Sequence, residues 1–469
     1  MVHKTEEGYN ELCMKPGKEK PPVFERKRAQ YKNLSEKFVN TKNDYSKQFA
    51  HIYAARLAEL RDILIPRVQA KWVNVPIVKL ADLENLEGQQ CVIIGTLYKH
   101  QQWKPSILRE LNEDHQLSAP CAKSDYCSEK DQPFLEDEML RIKLIGEQVD
   151  LKNIVTGIVC AVLGNENSAG TFMVKDWCFP GCAPKTSLKK CTSQEKLVIV
   201  SGLDLSNNYE NLGTSLFVEW LCGLAGNARV QKDGTSIVRL IIAGKSYIIP
   251  KQVAQYHLYI LLLLGNTIRS NDISNLKTDT AKEIGEAIKT ADTFLSNLAQ
   301  CCHITLMPGQ HDPTNVMLPQ RPLHPCLLPK SSRLESFKST TNPWIGRLEE
   351  RVIIGTGGQT IEDIIKATGE TATSPIGWLE RTLEWRHICP TAPDTLLACP
   401  YYEKDLFIMK ECPDVYFVGN TEKFETKIWK GDENQTVRLI SVPRFSTTHT
   451  AVIVNLENLD TKTISFGNI

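Results

Sequence analysis

The apolar positions of the chain follow two different spacings before residue 180. Over residues 45–64 they recur every three or four residues with charged side chains between them, which predicts an amphipathic helix that Pro66 should end. From residue 91 to 178 they form short runs separated by turn residues, a pattern typical of strands. These runs lie at residues 91–98, 141–145, 154–163 and 171–178.

Several short strands without a long helix are typical of a small closed barrel such as an OB-fold, here with a long loop at residues 112–133. Beyond a linker at residues 184–195 the pattern changes, because buried strands now alternate with helices. The alternation predicts a layered α/β domain with functional loops at its strand ends. The predicted strands are residues 196–201, 238–243, 303–307, 351–355, 415–419 and 450–455.

The predicted fold class is therefore α+β with more than one domain. Residues 1–43 are rich in Lys, Glu, Asn and Gln and have no apolar periodicity, which predicts a disordered tail. Residues 45–183 form the barrel domain with its N-terminal helix, residues 184–195 the linker, and residues 196–469 the α/β domain.

Composition narrows the possible functions. With 55 Lys+Arg, 55 Asp+Glu and zero net charge over 469 residues, the chain lacks the basic surplus that lets a protein hold nucleic acid on its own. The 15 cysteines are odd in number and form no C-x-x-C pair, and the first residues contain no apolar signal segment. These features indicate a reducing compartment, cytosol or nucleus, and no zinc or other cofactor.

Two further features bear on binding. The apolar run at residues 256–264 is too short to cross a membrane, which takes about 20 residues. In the barrel, Tyr98, Lys99, Trp103 and Lys104 are a possible stacking and charge-neutralising surface for single-stranded DNA.

Three loops at predicted strand ends carry candidate chemistry: Gly202 to Asp204, Gly309 to Asp312, and Gly419 to Glu422. Around them the sequence strongly resembles the small accessory (B) subunits of DNA polymerase delta. The resemblance covers roughly residues 44–469. It is carried by the runs LVIVSGLDL, MPGQHDPTNVMLPQRPLHPCLLP, RHICPTAPDTL and CPDVYFVGNT, and upstream by YSKQFAHIYAARL, SILREL and LEDEMLRIKL.

This resemblance implies an OB-fold joined to a calcineurin-like phosphoesterase domain that has lost its activity. It implies a nuclear scaffold that bridges the cysteine-rich C-terminal domain of the polymerase catalytic subunit to a third subunit. DNA would be contacted indirectly, through the complex. The rival hypothesis, from more distant relatives, is an active metal-dependent phosphodiesterase or 3′ to 5′ nuclease.

The residues themselves favour an inactive site. A two-metal phosphoesterase needs carboxylate and imidazole ligands in D-x-H, G-D, G-N-H and G-H-x-H motifs at successive strand ends. A glycine and a lysine stand at two such positions, and one imidazole does not hold a catalytic metal. The degenerate positions are Gly202, Asp204, Lys245, Gln310, His311, Asn420 and Glu422.

Residues 245–265 raise a separate question. Gly244-Lys245-Ser246 can be encoded by GGTAAGTC, which contains a consensus splice donor, so the segment is either a retained intron or a genuine insertion. Its removal would join Gly244 to Asn266 and put an asparagine at the position of Lys245.

Overall fold

The computed structural model describes residues 24–39, 48–86, 88–104, 125–186, 194–205, 211–246, 278–369, 373–401 and 403–467. Within these ranges the strands form three six-stranded sheets. The strands are β1 (Tyr31–Asn33), β2 (Ile77–Val78), β3 (Cys91–His100), β4 (Gln132–Glu136), β5 (Arg141–Ile145), β6 (Val159–Glu166), β7 (Thr171–Cys178), β8 (Lys196–Val200), β9 (Ile237–Ala243), β10 (Ile304–Met307), β11 (Phe337–Ser339), β12 (Trp344–Leu348), β13 (Arg351–Thr356), β14 (Val415–Thr421), β15 (Glu425–Lys430), β16 (Thr436–Pro443), β17 (Thr450–Asn455) and β18 (Thr461–Ser465).

The helices lie between these strands or before them. They are α1 (Glu36–Val39), α2 (Ala50–Lys71), α3 (Leu212–Cys222), α4 (Ala228–Gly234), α5 (Thr278–Cys301), α6 (Gln359–Thr368), α7 (Pro375–Glu384) and α8 (Phe445–Thr448), with 3-10 turns at Leu80–Leu86, Leu151–Asn153, Pro325–Leu327 and Ser331–Arg333. None of the described helices is long and apolar enough to cross a membrane.

The first sheet is a closed barrel. Its strand order is β2-β3-β4-β5-β7-β6, and β3 also pairs with β6, which closes the sheet. The barrel predicted from the short apolar runs is therefore present. Two of its strands were missed. Strand β2 has only two residues. Strand β4 begins at Gln132, inside the loop predicted over residues 112–133, because its five residues contain a proline and two charged or amide side chains.

The other two sheets pack face to face. One has the order β1-β12-β13-β14-β16-β15 and the other β11-β10-β9-β8-β17-β18. Apolar side chains from both sheets, such as Ile241 and Phe417, form the core between them. Helices α3 and α5 cover the outer face of the second sheet, and α6 and α7 cover that of the first, so the domain has four layers.

Part of the predicted tail is ordered. The prediction of a disordered tail over residues 1–43 is wrong for residues 24–39, which lie across the sandwich. Strand β1 pairs with β12, and the Arg239 guanidinium lies 3.7 Å from the centre of the Tyr31 ring. Arg26 donates to the carbonyl oxygens of Ile237 and Leu221. These contacts depend on partners about 200 to 300 residues away, which local composition does not reveal.

Helix α2 joins the barrel to the sandwich. The prediction that it ends at Pro66 is wrong, because the helix continues to Lys71 with Pro66 inside it. Proline removes one backbone hydrogen bond, but Leu64 and Val68 on either side are buried in a shared apolar cluster with barrel strands. One turn before Leu60 on the same helix, Arg56 is fully buried and contacts the sandwich through Asp405, Pro390 and Ala392.

Candidate functional site

The strand-end loops that the sequence singled out meet in one cleft. Gly202 N–H donates to the carbonyl of Gly244 at 3.0 Å, and the backbone N–H of Asn420 donates to Ser201 Oγ at 2.9 Å. A Cβ built on Gly244 would lie 3.0 Å from the Cα of Gly309. The carboxyl ends of β8, β9, β10 and β14 therefore bring these loops together, as expected for parallel strands.

Asn420 lies at the centre of this cleft. Its backbone is left-handed, with φ of 60°, a conformation that asparagine tolerates better than most residues. Its Nδ2 donates to the carbonyl of Ala243 at 3.1 Å and to that of Gly357 at 2.7 Å. Asn420 is thus a buried donor that holds two loops, and its Oδ1 has no hydrogen-bond partner in the described part of the chain.

Gly202 and Asp204 form the turn opposite Asn420. Gly202 has φ of 62°, and a Cβ at this position would lie 2.7 Å from Asn420 Oδ1. Both the backbone conformation and the close approach therefore require glycine. Asp204 is buried, and its N–H donates to the carbonyl of Lys245 at 3.3 Å.

Lys245 brings a positive charge to the cleft. Burial lowers its pKa, which the nearby carboxylate of Glu362 partly opposes. Burial alone would raise the pKa of Glu362, but Lys366 and Lys245 outweigh it and hold that pKa below its ordinary value. Arg444 and Lys366 are further cations close to Lys245.

Residues 245 and 246 are the only described part of the segment 245–265, for which the sequence leaves a retained intron and a genuine insertion as alternatives. The carbonyls of Lys245 and Ser246 accept from the N–H groups of Asp204 and Leu205, contacts that any two residues can make through their backbone. Residues 247–265 lie outside the described residues.

The remaining candidates differ in exposure. Gln310 and Glu422 are exposed, whereas His311 is half-buried. Gln310 borders a small cavity of about 170 Å³ with Glu362 and Lys366. The loop that carries Gln310 and His311 is closed by Asp312, whose carboxylate accepts from the Gly309 N–H at 2.7 Å.

Sequence reasoning missed three amide side chains that hold this cleft together. Asn342 Nδ2 donates to Gln320 Oε1 at 2.8 Å and to Gln359 Oε1 at 2.9 Å. Gln320 donates in turn to the carbonyl of Gly309 at 3.0 Å, and Asn342 Oδ1 accepts from Gly357 N–H at 2.9 Å. The only signal was the position of Gln359 directly after the glycine-rich turn at residues 355–358.

The residues of this cleft do not fit a pair of catalytic metal ions. Where such a site needs carboxylate or imidazole ligands, the cleft has the Gly202 backbone, the Lys245 ammonium group and an Asn420 amide that donates to carbonyls. Across the described ranges, no three His, Cys, Asp or Glu side chains converge as a metal site.

The barrel surface also differs from the prediction for single-stranded DNA. Lys99 is fully buried, and its Nζ donates to the carbonyls of Leu151 and Ala367, each at 2.9 Å. Lys104 forms an ion pair with Asp394. The two aromatic candidates, Tyr98 and Trp103, are at least partly exposed. Because both lysines are bound to other groups of the chain, this surface is not a basic stacking platform.

Comparisons with known proteins agree with this architecture. Residues 48–177 match the family described as DNA polymerase delta subunit OB-fold domain, and residues 197–426 match the DNA polymerase alpha/epsilon B-subunit family. The fold thus defines a B-type accessory subunit of a replicative DNA polymerase, with an OB-fold barrel on a mixed α/β domain.

Relatives that align over nearly the whole chain show which replicative polymerase the family serves. The chain is 38% identical to DNA polymerase delta subunit 2 of Drosophila melanogaster over 441 residues, 94% of this chain and 98% of the relative. It is 37% identical to the DNA polymerase delta small subunit of Oryza sativa subsp. japonica, over 95% and 99% of the two chains. It is 30% identical to the small subunit of Saccharomyces cerevisiae, over 90% of each. The chain belongs to the DNA polymerase delta small-subunit family.

Proposed function

We propose that this accessory subunit is a non-catalytic, nuclear scaffold of DNA polymerase delta. It binds the cysteine-rich C-terminal domain of the catalytic subunit and a third subunit, and the complex brings it to DNA. Its second domain is a phosphoesterase-like fold of the calcineurin type whose site has lost its chemistry.

The observation that carries the proposal is the continuous apolar core between barrel and sandwich. Barrel residues such as Leu97 and Phe172 belong to the same buried cluster as Ile361 of α6 and Trp378 of α7. Two domains with one shared core form a rigid body, which suits a subunit that holds two partners in a fixed relation.

Buried polar contacts reinforce this junction. The carbonyl of Ala367 at the end of α6 accepts from Lys99 and from Gln101, each at 2.9 Å. Lys99 also lies 3.7 Å from Asp131, with both side chains fully buried. Because buried polar groups need fixed partners, these contacts favour one orientation of the barrel on α6.

The side chains of the cleft also favour a non-catalytic subunit. Asn420 and Gln320 donate to backbone carbonyls, and Asn342 donates to Gln320. The loops are therefore held by neutral hydrogen bonds where an active relative would use metal ligands. Lys245, or Asn266 if residues 245–265 are absent, offers no bridging carboxylate.

Reconstitution tests the scaffold. The full chain, co-expressed with the polymerase catalytic subunit and the third subunit, should elute with both from a sizing column as one complex. If it elutes alone while the other two subunits bind each other directly, it is not the bridge.

A hydrolysis assay tests the rival function. The full chain with manganese should leave bis-nitrophenyl phosphate intact at the rate of the buffer control. Hydrolysis that His311→Ala abolishes would show an active phosphodiesterase, and exposed Gln310→Ala serves as the matched control in the same loop.

A further inference from the structure

A groove of about 830 Å³ lies at the end of the sandwich opposite the cleft. It is bordered by Lys196, at the start of β8, and by Thr235 and Ser236, which precede β9. The cleft around Asn420 lies at the other ends of these strands, after Val200 and Ala243. The groove is therefore separate from it.

The groove is strongly basic in a chain without net charge. Two carboxylates, Asp233 and Glu457, face five cations along its walls. Asp233 pairs with Lys196, while the other four cations form no ion pair among the residues that the structure describes. The five cations are Lys27, Lys196, Arg229, Lys232 and Lys462.

The ordered N-terminal segment fixes one wall of the groove. Lys27 N–H donates to the carbonyl of Thr235 at 2.9 Å. Beside it, the Arg26 guanidinium donates to the carbonyl of Ile237 at 3.0 Å and to that of Leu221. Lys27 also borders an adjoining hollow of about 810 Å³ with Arg28 and His303. The backbone anchor of Arg26 holds these basic residues in place.

We propose that this basic groove binds the phosphate backbone of nucleic acid directly. The unpaired cations come from three separate elements: the N-terminal segment, α4 and β18. Cations spread along a groove match a linear polyanion, whose repeated charges each release counterions on contact. A compact anion would need converging donors instead. The inference goes beyond the scaffold role and does not require catalysis.

Salt-dependent binding tests the proposal. The probe is a fluorescein-labelled oligothymidylate, compared with a duplex of equal length, and the readout is fluorescence anisotropy with the full chain at several salt concentrations. The wild-type affinity should fall steeply with salt. Combined Lys27→Glu, Arg229→Glu, Lys232→Glu and Lys462→Glu should weaken binding at least tenfold and reduce the salt slope by about 3 to 4.

A control variant with the same change in net charge distinguishes binding in the groove from a general effect of the protein's charge. Four exposed lysines outside the groove, on the barrel and on β15, are changed to Glu; they are Lys130, Lys152, Lys175 and Lys430. The control should lose much less affinity than the groove variant. Equal losses in both variants, or no wild-type binding at low salt, would overturn the proposal.

Arg26→Ala tests the role of the anchor. It leaves all five groove cations in the chain but removes the anchor of the segment that carries Lys27. Arg28→Ala removes an equal charge from the same segment and is its control, so a larger loss of oligonucleotide affinity in Arg26→Ala, at an unchanged melting temperature, reports the positioning of Lys27. If the groove variant instead kept its oligonucleotide affinity and lost the other polymerase subunits, the groove would bind an acidic protein segment and the proposal would be wrong. The wild-type affinities for the oligothymidylate and for the duplex show whether the groove prefers single-stranded or double-stranded nucleic acid.

Discussion

The guanidinium of Arg56 and the carboxylate of Asp405 lie 2.6 Å apart at the junction of barrel and sandwich, and both side chains are buried. Arg56 also donates to the carbonyls of Gly157, Pro390 and Ala392. One residue of helix α2 thereby binds both domains. Its donors are matched by acceptors on each side, which is what makes a buried charge tolerable.

We predict that Arg56→Ala loosens this junction. The substitution leaves the Asp405 carboxylate buried without its cation, which should lower the free energy of unfolding by about 3 to 5 kcal/mol. Urea denaturation measures it. Arg61→Ala on the same helix is the matched control, because Arg61 pairs with Glu138 at a partly exposed site and should cost less than about 1 kcal/mol. Equal effects of the two substitutions would contradict the account.

The same junction should make stability sensitive to acid. His387 Nε2 lies 2.9 Å from Asp405 Oδ2, and burial, followed by the charge of Arg56, lowers the pKa of His387 to about 4. The unfolded chain, whose histidine titrates near 6.5, therefore binds more protons between these values. The contribution of His387 to the free energy of unfolding is therefore fully present above about pH 6.5. It falls by about 3 kcal/mol as the pH is lowered towards 4.

His387→Asn is the test of that assignment. Without the imidazole, the free energy of unfolding should change less between pH 6.5 and 4 than in the wild type. Urea denaturation across this range measures the difference. Parallel curves for the two proteins would show that another group causes the acid sensitivity.

The cleft should resist conversion to a metal site. Asn420→Asp replaces a donor to two carbonyls with a buried carboxylate that repels them, at a cost of about 2 to 4 kcal/mol in the free energy of unfolding. The control is Asn434→Asp at an exposed position that is also left-handed, with an expected change within about 0.5 kcal/mol. Stoichiometric manganese binding by Asn420→Asp in calorimetry would argue against this account.

The segment at residues 245–265 makes a separate prediction. We propose that it is a retained intron, so a tryptic digest of the endogenous protein should contain residues 240–244 joined to residues 266–269. The backbone contacts of Lys245 and Ser246 would pass to Asn266 and Thr267. A peptide that ends at Lys245 would show a genuine insertion.

Elements with strong apolar patterns were predicted well from the sequence. The strands Thr171–Cys178 and Thr450–Asn455 begin and end where the pattern predicts, because each buries three apolar side chains within its own length. The convergence of the Gly202, Gly309 and Asn420 loops also follows from their places after buried parallel strands.

Features that depend on distant partners could not be predicted in the same way. Strand β1 has only three residues, all partly or fully exposed, and exists because the edge of β12 pairs with it. Lys99 has carbonyl partners more than 50 and more than 260 residues away. The one local indication that Lys99 faces inward was its position two residues after the buried Leu97 on β3, because residues i and i+2 of a strand lie on the same face.

Affinity capture of the endogenous chain from nuclear extract, followed by mass spectrometry, tests the central claim most directly. The account predicts that the polymerase delta catalytic subunit and a third subunit co-purify in comparable amounts with the chain. Recovery of the chain alone, or with unrelated proteins, would contradict the assignment of a polymerase scaffold.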